Sequence, residues 1–194
     1  MKDRYGREID YLRISITDRC NLRCIYCMPE EGICQTAHKE ILTYDEIRRI
    51  CRCMTALGIK KIKLTGGEPL TRKDSAVLVR MLKELPGIEK VTLTTNGILL
   101  KEQMAELAEA GIDNINISLD TLNTEAFQKI TRREGLARVL EGLKEAMKYP
   151  QIGLKINCVP VLEDPENLIN LAGIARDNPI HVRFIEMMPI GYGK

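Results

Sequence analysis

Three cysteines stand close together in Cys20-Asn-Leu-Arg-Cys24-Ile-Tyr-Cys27. Thiolates are metal ligands, and three on one short loop can wrap one face of a cubane iron–sulfur cluster, leaving its fourth iron open. Other chemistries compete for the same residues. Cys24 and Cys27 alone have the CxxC redox spacing, although such a pair opens a helix in a smaller fold. A structural zinc wants a fourth ligand, for which Cys34 and His38 lie near enough in sequence. Three free buried thiols is the blandest arrangement, and a loop position argues against it. Cys51 and Cys53, two apart on an expected helix, face different directions and cannot easily share a metal. Cys158 alternates with apolar strand residues and reads as core, and His181 reads as a strand-end histidine.

A second constellation is Thr65-Gly66-Gly67-Glu68-Pro69. Two glycines let a ligand approach the backbone, and successive N–H and C=O groups can hold the polar head of an amino acid. Alone, the same residues suit a plain strand-to-helix turn. Their placement at the end of a strand, like that of the cysteines, favours a shared site.

Strand-like and helix-like segments alternate along the chain and must position these motifs. Strands are expected at 12–17, 59–65, 90–95, 114–119, 152–159 and 181–186. Helices are expected from Thr43, at 74–85, 101–110, 124–130 and 135–149, and from Asp164-Pro165. Thr43 and Glu46 form a capping box, with Ile47, Ile50, Cys51, Met54 and Leu57 as the apolar stripe behind it and Gly58 as the stop. Six strands separated by helices form parallel βαβ units of an α/β fold. The cysteine loop and the double glycine then both lie at C-terminal strand ends, where barrel enzymes place their chemistry.

These strands alternate instead of reading as continuous apolar runs. Leu12, Ile14 and Ile16 interleave with Arg13, Ser15 and Thr17; Ile62 and Leu64 with Lys61, Lys63 and Thr65; Leu154 and Ile156 with Lys155 and Asn157. One face of the sheet therefore packs under helices and the other is polar. A flat sheet with one solvated face shares this pattern, but the intervening helices favour a barrel wall around a ligand-holding lumen. Arg13, Lys63 and Lys155 outnumber Asp120 on the polar face, so the expected ligand is an anion.

Composition narrows the classes. The 194 residues suit one single-core domain, with 44% hydrophobic and 29% charged residues in globular balance. A net charge of +2, no Trp and only two Phe give no support to nucleic acid as a partner. No apolar run approaches a membrane span, and the polar start lacks a signal segment. Seven cysteines, an odd number, argue against a disulfide framework and fit a reducing cytoplasm.

CxxxCxxC with an aromatic residue before the last cysteine, plus Gly-Gly-Glu-Pro after the second strand, resembles the radical S-adenosylmethionine pattern. The stretch 12–29, LRISITDRCNLRCIYCMP, is more specific and resembles the GTP 3′,8-cyclases of molybdenum cofactor biosynthesis. So do LTGGEPL (64–70), LTTNG (93–97), NISLD (116–120), LKINCV (154–159) and RFIEMMP (183–189).

The resemblance implies a partial (βα)6 barrel over 1–194 in which Cys20, Cys24 and Cys27 hold a 4Fe–4S cluster. S-adenosylmethionine would bind the open iron and be cleaved to a 5′-deoxyadenosyl radical. That radical takes a hydrogen from ribose C3′ of GTP, after which C3′ bonds to C8, the first step of molybdopterin formation. The resemblance assigns Tyr26, Gly67, Ser118 and Met188 to S-adenosylmethionine and Arg13, Lys63, Thr94 and Lys155 to GTP. It also implies a protein reductant and allows a homodimer. Lys63 stands where it leads one to expect an arginine, and lysine cannot reproduce a bidentate phosphate clamp. The resembling family continues into a C-terminal segment with a second cysteine triad and 4Fe–4S cluster, which is absent here, so this chain is expected to be an incomplete form. A different radical S-adenosylmethionine enzyme, peptide-modifying or activating, and a non-catalytic zinc module are the alternatives.

Overall fold

The computed structural model describes residues 2–162, 164–188 and 191–193. Strands and helices alternate as β1 (Tyr11–Ser15), α1 (Tyr44–Ala56), β2 (Lys61–Thr65), α2 (Ser75–Lys83), β3 (Lys90–Thr95), α3 (Leu100–Glu109) and β4 (Asn114–Ser118). They continue as α4 (Thr124–Thr131), α5 (Leu136–Ala146), β5 (Gly153–Cys158), α6 (Pro165–Asp177) and β6 (Ile180–Phe184). Helix starts follow local chemistry. The Thr43 hydroxyl accepts from the Glu46 N–H at 3.2 Å while the Glu46 carboxylate accepts from the Thr43 N–H at 2.7 Å, the expected capping box. Asp164 caps α6 through the Asn167 N–H. Among the described residues no helix is long and apolar enough to cross a membrane.

All six strands run parallel in the order β1-β2-β3-β4-β5-β6. A doubly wound sheet reverses its order at a switch point and carries helices on both faces. An order that never reverses, with right-handed crossovers, places every helix on one face and curls the sheet around the other. Among the described residues β1 and β6 do not pair, so the sheet is an open arc, the expected partial barrel.

The alternation read from the sequence is the alternation of the wall. Ile62, Leu64, Val91, Leu93, Ile115, Ile117 and Ile156 are fully buried beneath the helices. Each contributes roughly 1.5–3 kcal/mol relative to exposure. Their neighbours Lys63, Thr92, Thr94, Ser118 and Lys155 are only partly buried, on the lumen side.

Helix α1 departs from expectation. Ile47 and Cys51 are buried, but Ile50 is 40% exposed and Leu57 52%. Ile50 and Leu57 lie on one shoulder of the helix, about 60–80° from Ile47. At the β1 end of the arc α1 packs against α2, and that shoulder stays open to solvent. Strand ends shift by a residue or two: β1 closes at Ser15, not Thr17, and β6 at Phe184, not at residue 186.

Candidate functional site

The cysteine loop leaves β1 and crosses the C-terminal end of β2. Thr17 and Arg19 carbonyls accept from the Gly67 and Glu68 N–H groups at 2.7 Å each. A β-carbon at Gly66 would stand 2.5 Å from the Thr17 carbonyl oxygen, and one at Gly67 would run into the Arg19 carbonyl. The double glycine therefore lets the cysteine loop lie against β2, and both glycines also line the cavity, as a ligand approach there requires. Beyond the first cysteine the loop is tied to α4: the Arg23 and Ile25 N–H groups donate to Thr131 and Ile130 at 2.9 Å. Arg132 donates to the Arg23 and Met28 carbonyls. Cys27 N–H donates to the Cys24 carbonyl at 2.9 Å, a tight turn that sets those two residues side by side.

All three cysteines line one open cavity of about 250 Å³, with Tyr26, Gly66, Gly67, Glu68, Thr94, Asn96, Ser118, Asp120 and Asn157 on its other walls. The loop and four strand ends thus bring together Cys20, Cys24, Cys27, Tyr26, Gly67, Thr94 and Ser118. Met188 is not among that lining, and its side chain is 67% exposed. The motif it belongs to ends at Pro189, outside the described residues. Cys34 and His38 are exposed and not among the cavity lining, Cys53 is exposed, and Cys51 and Cys158 are core.

Burial raises the Cys20 and Cys27 thiols and pushes Cys24 up to about 12, with the charges of Cys27, Asp120 and Cys20 adding to the last. At neutral pH these thiols hold their protons until a metal displaces them. Tyr26 donates to Asp120 Oδ2 at 2.7 Å, and the Val159 N–H donates to Asp120 Oδ1 at 2.8 Å. Burial pushes Asp120 up while those two bonds hold it down, and burial with the Asp120 charge raises the Tyr26 phenol. Tyr26 is therefore a fixed donor clamped to the end of β4.

Glu68 is 1% exposed and ties the segment after β2 to the end of β3. Its carboxylate accepts from the Leu70 N–H (2.9 Å), the Thr95 hydroxyl (2.7 Å) and the Asn96 N–H (2.6 Å). Burial raises its pKa against those three bonds. Nothing in Gly-Gly-Glu-Pro alone foretells this, because two of the three donors belong to the end of β3.

The expected cations sit lower on the same wall. Arg13 pairs in register with Lys63, and Thr94 with Asn116, which pairs with Lys155. Burial first, then the charges of Arg13, Arg183 and Lys155, lowers the pKa of Lys63. Arg183 is the cation the sequence reading missed. It lies on β6 in register with Asn157, and the alternation that flagged the other three would have flagged it. Asn157 was missed as well: its Oδ1 is buried without a hydrogen-bond partner beside the cavity.

The sequence model of the Radical SAM superfamily matches residues 14–173. The chain belongs to the Radical SAM superfamily. Curated relatives include a GTP 3′,8-cyclase of Peptoclostridium acidaminophilum, 50% identical over 193 residues, covering 98% of this chain and 59% of that protein. Those of Petrotoga mobilis (48% identical, 98% and 59%) and Clostridium perfringens strain 13 (47%, 100% and 60%) match similarly. The chain thus spans about three-fifths of the length of the curated relatives it matches. Among solved structures, Streptococcus suis SuiB superposes with a TM-score of 0.79 at 25% identity, over 95% of this chain and 41% of that one. Methylornithine synthase PylB superposes at 0.72 with 20% identity, over 92% and 53%; that second likeness is one of fold.

The donor set suits the cluster expected of a radical SAM chain. Among the described residues no three Cys, His, Asp or Glu side chains close on a point that one metal ion could occupy. A tetrahedral zinc draws every thiolate to about 2.3 Å from one centre, whereas a cubane spreads three thiolates over three irons. The three thiols lining one cavity are a donor set that such a cluster would take. The unpartnered Asn157 Oδ1 and the Ser118 side chain line the same space and suit a polar ligand there.

Proposed function

We propose that this chain is the radical-generating part of a GTP 3′,8-cyclase, converting GTP to 3′,8-cyclo-7,8-dihydroguanosine triphosphate. The observation that carries the reading is the convergence of four cations on one polar wall below the thiol cavity. Arg13, Lys63, Lys155 and Arg183 come from four different strands, and three of them act on the fourth through their charge. Among the described residues none of the four is ion-paired, and so many cations facing one lumen call for a polyanion, which a triphosphate supplies. The names of the curated relatives support the same substrate.

On this reading Cys20, Cys24 and Cys27 hold a 4Fe–4S cluster, and Tyr26, Gly67, Ser118 and Met188 contact S-adenosylmethionine. When bound, the cluster and S-adenosylmethionine supply the one-electron chemistry. The protein's own residues orient and exclude. The cysteine loop and Glu68 fix the cavity, Tyr26 and Asp120 close its far side, and the cations with Thr94 hold the triphosphate so that the ribose faces the cavity. The reading brings with it a one-electron protein reductant, a cytoplasmic setting, and a further segment carrying a second 4Fe–4S cluster for the guanine.

Anaerobically reconstituted and reduced protein should cleave S-adenosylmethionine to 5′-deoxyadenosine without GTP, and should bind GTP and ATP in calorimetric titration with little preference. Absence of 5′-deoxyadenosine from cluster-loaded protein would refute the radical reading. Binding of neither nucleotide would refute the substrate and favour a peptide-modifying enzyme.

A further inference from the structure

Asn96 follows β3 and faces the cysteine loop across the cavity. Its side-chain orientation is fixed from three directions. Oδ1 accepts from the Ile98 N–H at 3.1 Å, a backbone donor that permits no flip of the amide. The Asn96 backbone N–H is held by the buried Glu68 at 2.6 Å. The amide nitrogen is thereby turned to the loop, where one hydrogen serves Asn21 Oδ1 at 2.7 Å and the other points at Cys20 Sγ, 3.9 Å away. The Leu22 N–H lies 3.4 Å from the same sulfur. The Cys20 Sγ stands here for the thiolate that would bind one iron of the cluster.

We propose that Asn96 is a positioning residue for cluster redox chemistry: its side-chain amide donates to the Cys20 sulfur and raises the reduction potential of the cluster. The inference rests on the reading of Cys20, Cys24 and Cys27 as cluster ligands. Reduction adds negative charge that spreads onto the ligand sulfurs, and an N–H···S bond strengthens as that charge grows. The donor therefore stabilises the reduced state more than the oxidised one, which moves the potential up. The Glu68 carboxylate, by holding the Asn96 backbone, keeps the donor aimed without touching the cluster.

The test is an anaerobic redox titration, followed by electron paramagnetic resonance, of the reconstituted chain and three variants. Asn96→Leu and the smaller Asn96→Ala remove the donor without adding charge. Asn21→Ala removes the other partner of the same amide and leaves the donor to Cys20 in place. Both Asn96 variants should retain iron and sulfide. At the wild-type midpoint their reduced fraction relative to oxidised should fall about tenfold, a downward shift of about 59 mV for a one-electron couple. Asn21→Ala should not lower the midpoint. Unchanged midpoints in cluster-loaded Asn96 variants would overturn the proposal, and so would an equal fall in Asn21→Ala, which would assign the effect to the loop's shape. Loss of the cluster from both Asn96 variants would make Asn96 a structural residue and overturn it too. A wild-type chain that takes up no iron would instead overturn the cluster assignment on which the proposal stands.

Discussion

Replacing Glu68 by alanine should cost about 2–6 kcal/mol of folding stability. The side chain is 1% exposed and accepts from two backbone N–H groups, those of Leu70 and Asn96, and from the Thr95 hydroxyl. The hydroxyl can turn to another acceptor, but the two backbone donors cannot. Each buried donor left unmade costs about 1–3 kcal/mol, which gives the range. Against a typical total of about 5–15 kcal/mol, the variant should be close to unfolding on mild warming. Urea melts of the metal-free, reduced chain measure the loss as a lower midpoint at unchanged slope. A loss below about 1 kcal/mol would refute the strut, because solvent or a neighbour would then be satisfying those donors.

The neutral isostere Glu68→Gln adds a test by pH. Burial raises the Glu68 pKa above the ordinary 4.5. In the window from 4.5 up to the folded value, the folded state binds more protons than the unfolded state, so this group's contribution falls as pH rises through it. Wild type should therefore gain on Glu68→Gln as pH is lowered towards 4.5. No change in their difference would mean that the carboxyl is not held protonated more tightly in the fold.

Four further outcomes are expected. Cys24→Ala should fail to retain a cluster on anaerobic reconstitution, with iron and sulfide analysis as the measurement. Gly67→Ala should displace the cysteine loop from β2, since its β-carbon meets the Arg19 carbonyl. It should show as lowered iron loading together with a lower melting temperature. Lys155→Ala should weaken triphosphate binding tenfold or more, from about 1.5–3 kcal/mol per charge-assisted contact, with a smaller effect on guanosine. Because burial and neighbouring cations lower the Lys63 pKa, triphosphate affinity should fall with rising pH before an ordinary lysine of 10.5 would lose its proton. Titrations at stepped pH should show that fall in wild type and not in Lys63→Arg.

Much of the wall was legible because a two-residue period is a property of each strand alone. Ile62 and Leu64 against Lys63, or Leu154 and Ile156 against Lys155, declare which face is which without knowledge of neighbours. The capping box at Thr43 was legible for the same reason, as its partners are three residues apart. What escaped depends on which segments meet. Glu68 is a buried strut only because Thr95 and Asn96 arrive from β3. The double glycine shows its second role, close contact with the backbone of Thr17 and Arg19, only once the loop from β1 is seen beside it. The Ile50 and Leu57 shoulder of α1 satisfies a helical period, yet whether such a shoulder is buried depends on what packs beside it, and here it is exposed. The superfamily was legible from the cysteine spacing taken together with Tyr26 and Gly-Gly-Glu-Pro, whereas the cavity the three thiols share required the fold.

The open arc has a mechanical consequence. Arg13 sits on β1 and Arg183 on β6, the two strands with an unpaired edge, and Lys63 senses both charges. Like charges on the two end strands would repel each other across the lumen. An anion reaching both cations reverses the sign of that force and draws the ends together. A polyphosphate in this lumen would thus act as a clasp, supplying by attraction at one level some of the closure that a full barrel obtains from its last strand pair. Binding at the cations would then narrow the mouth at the thiols, coupling the shape of one site to the filling of the other.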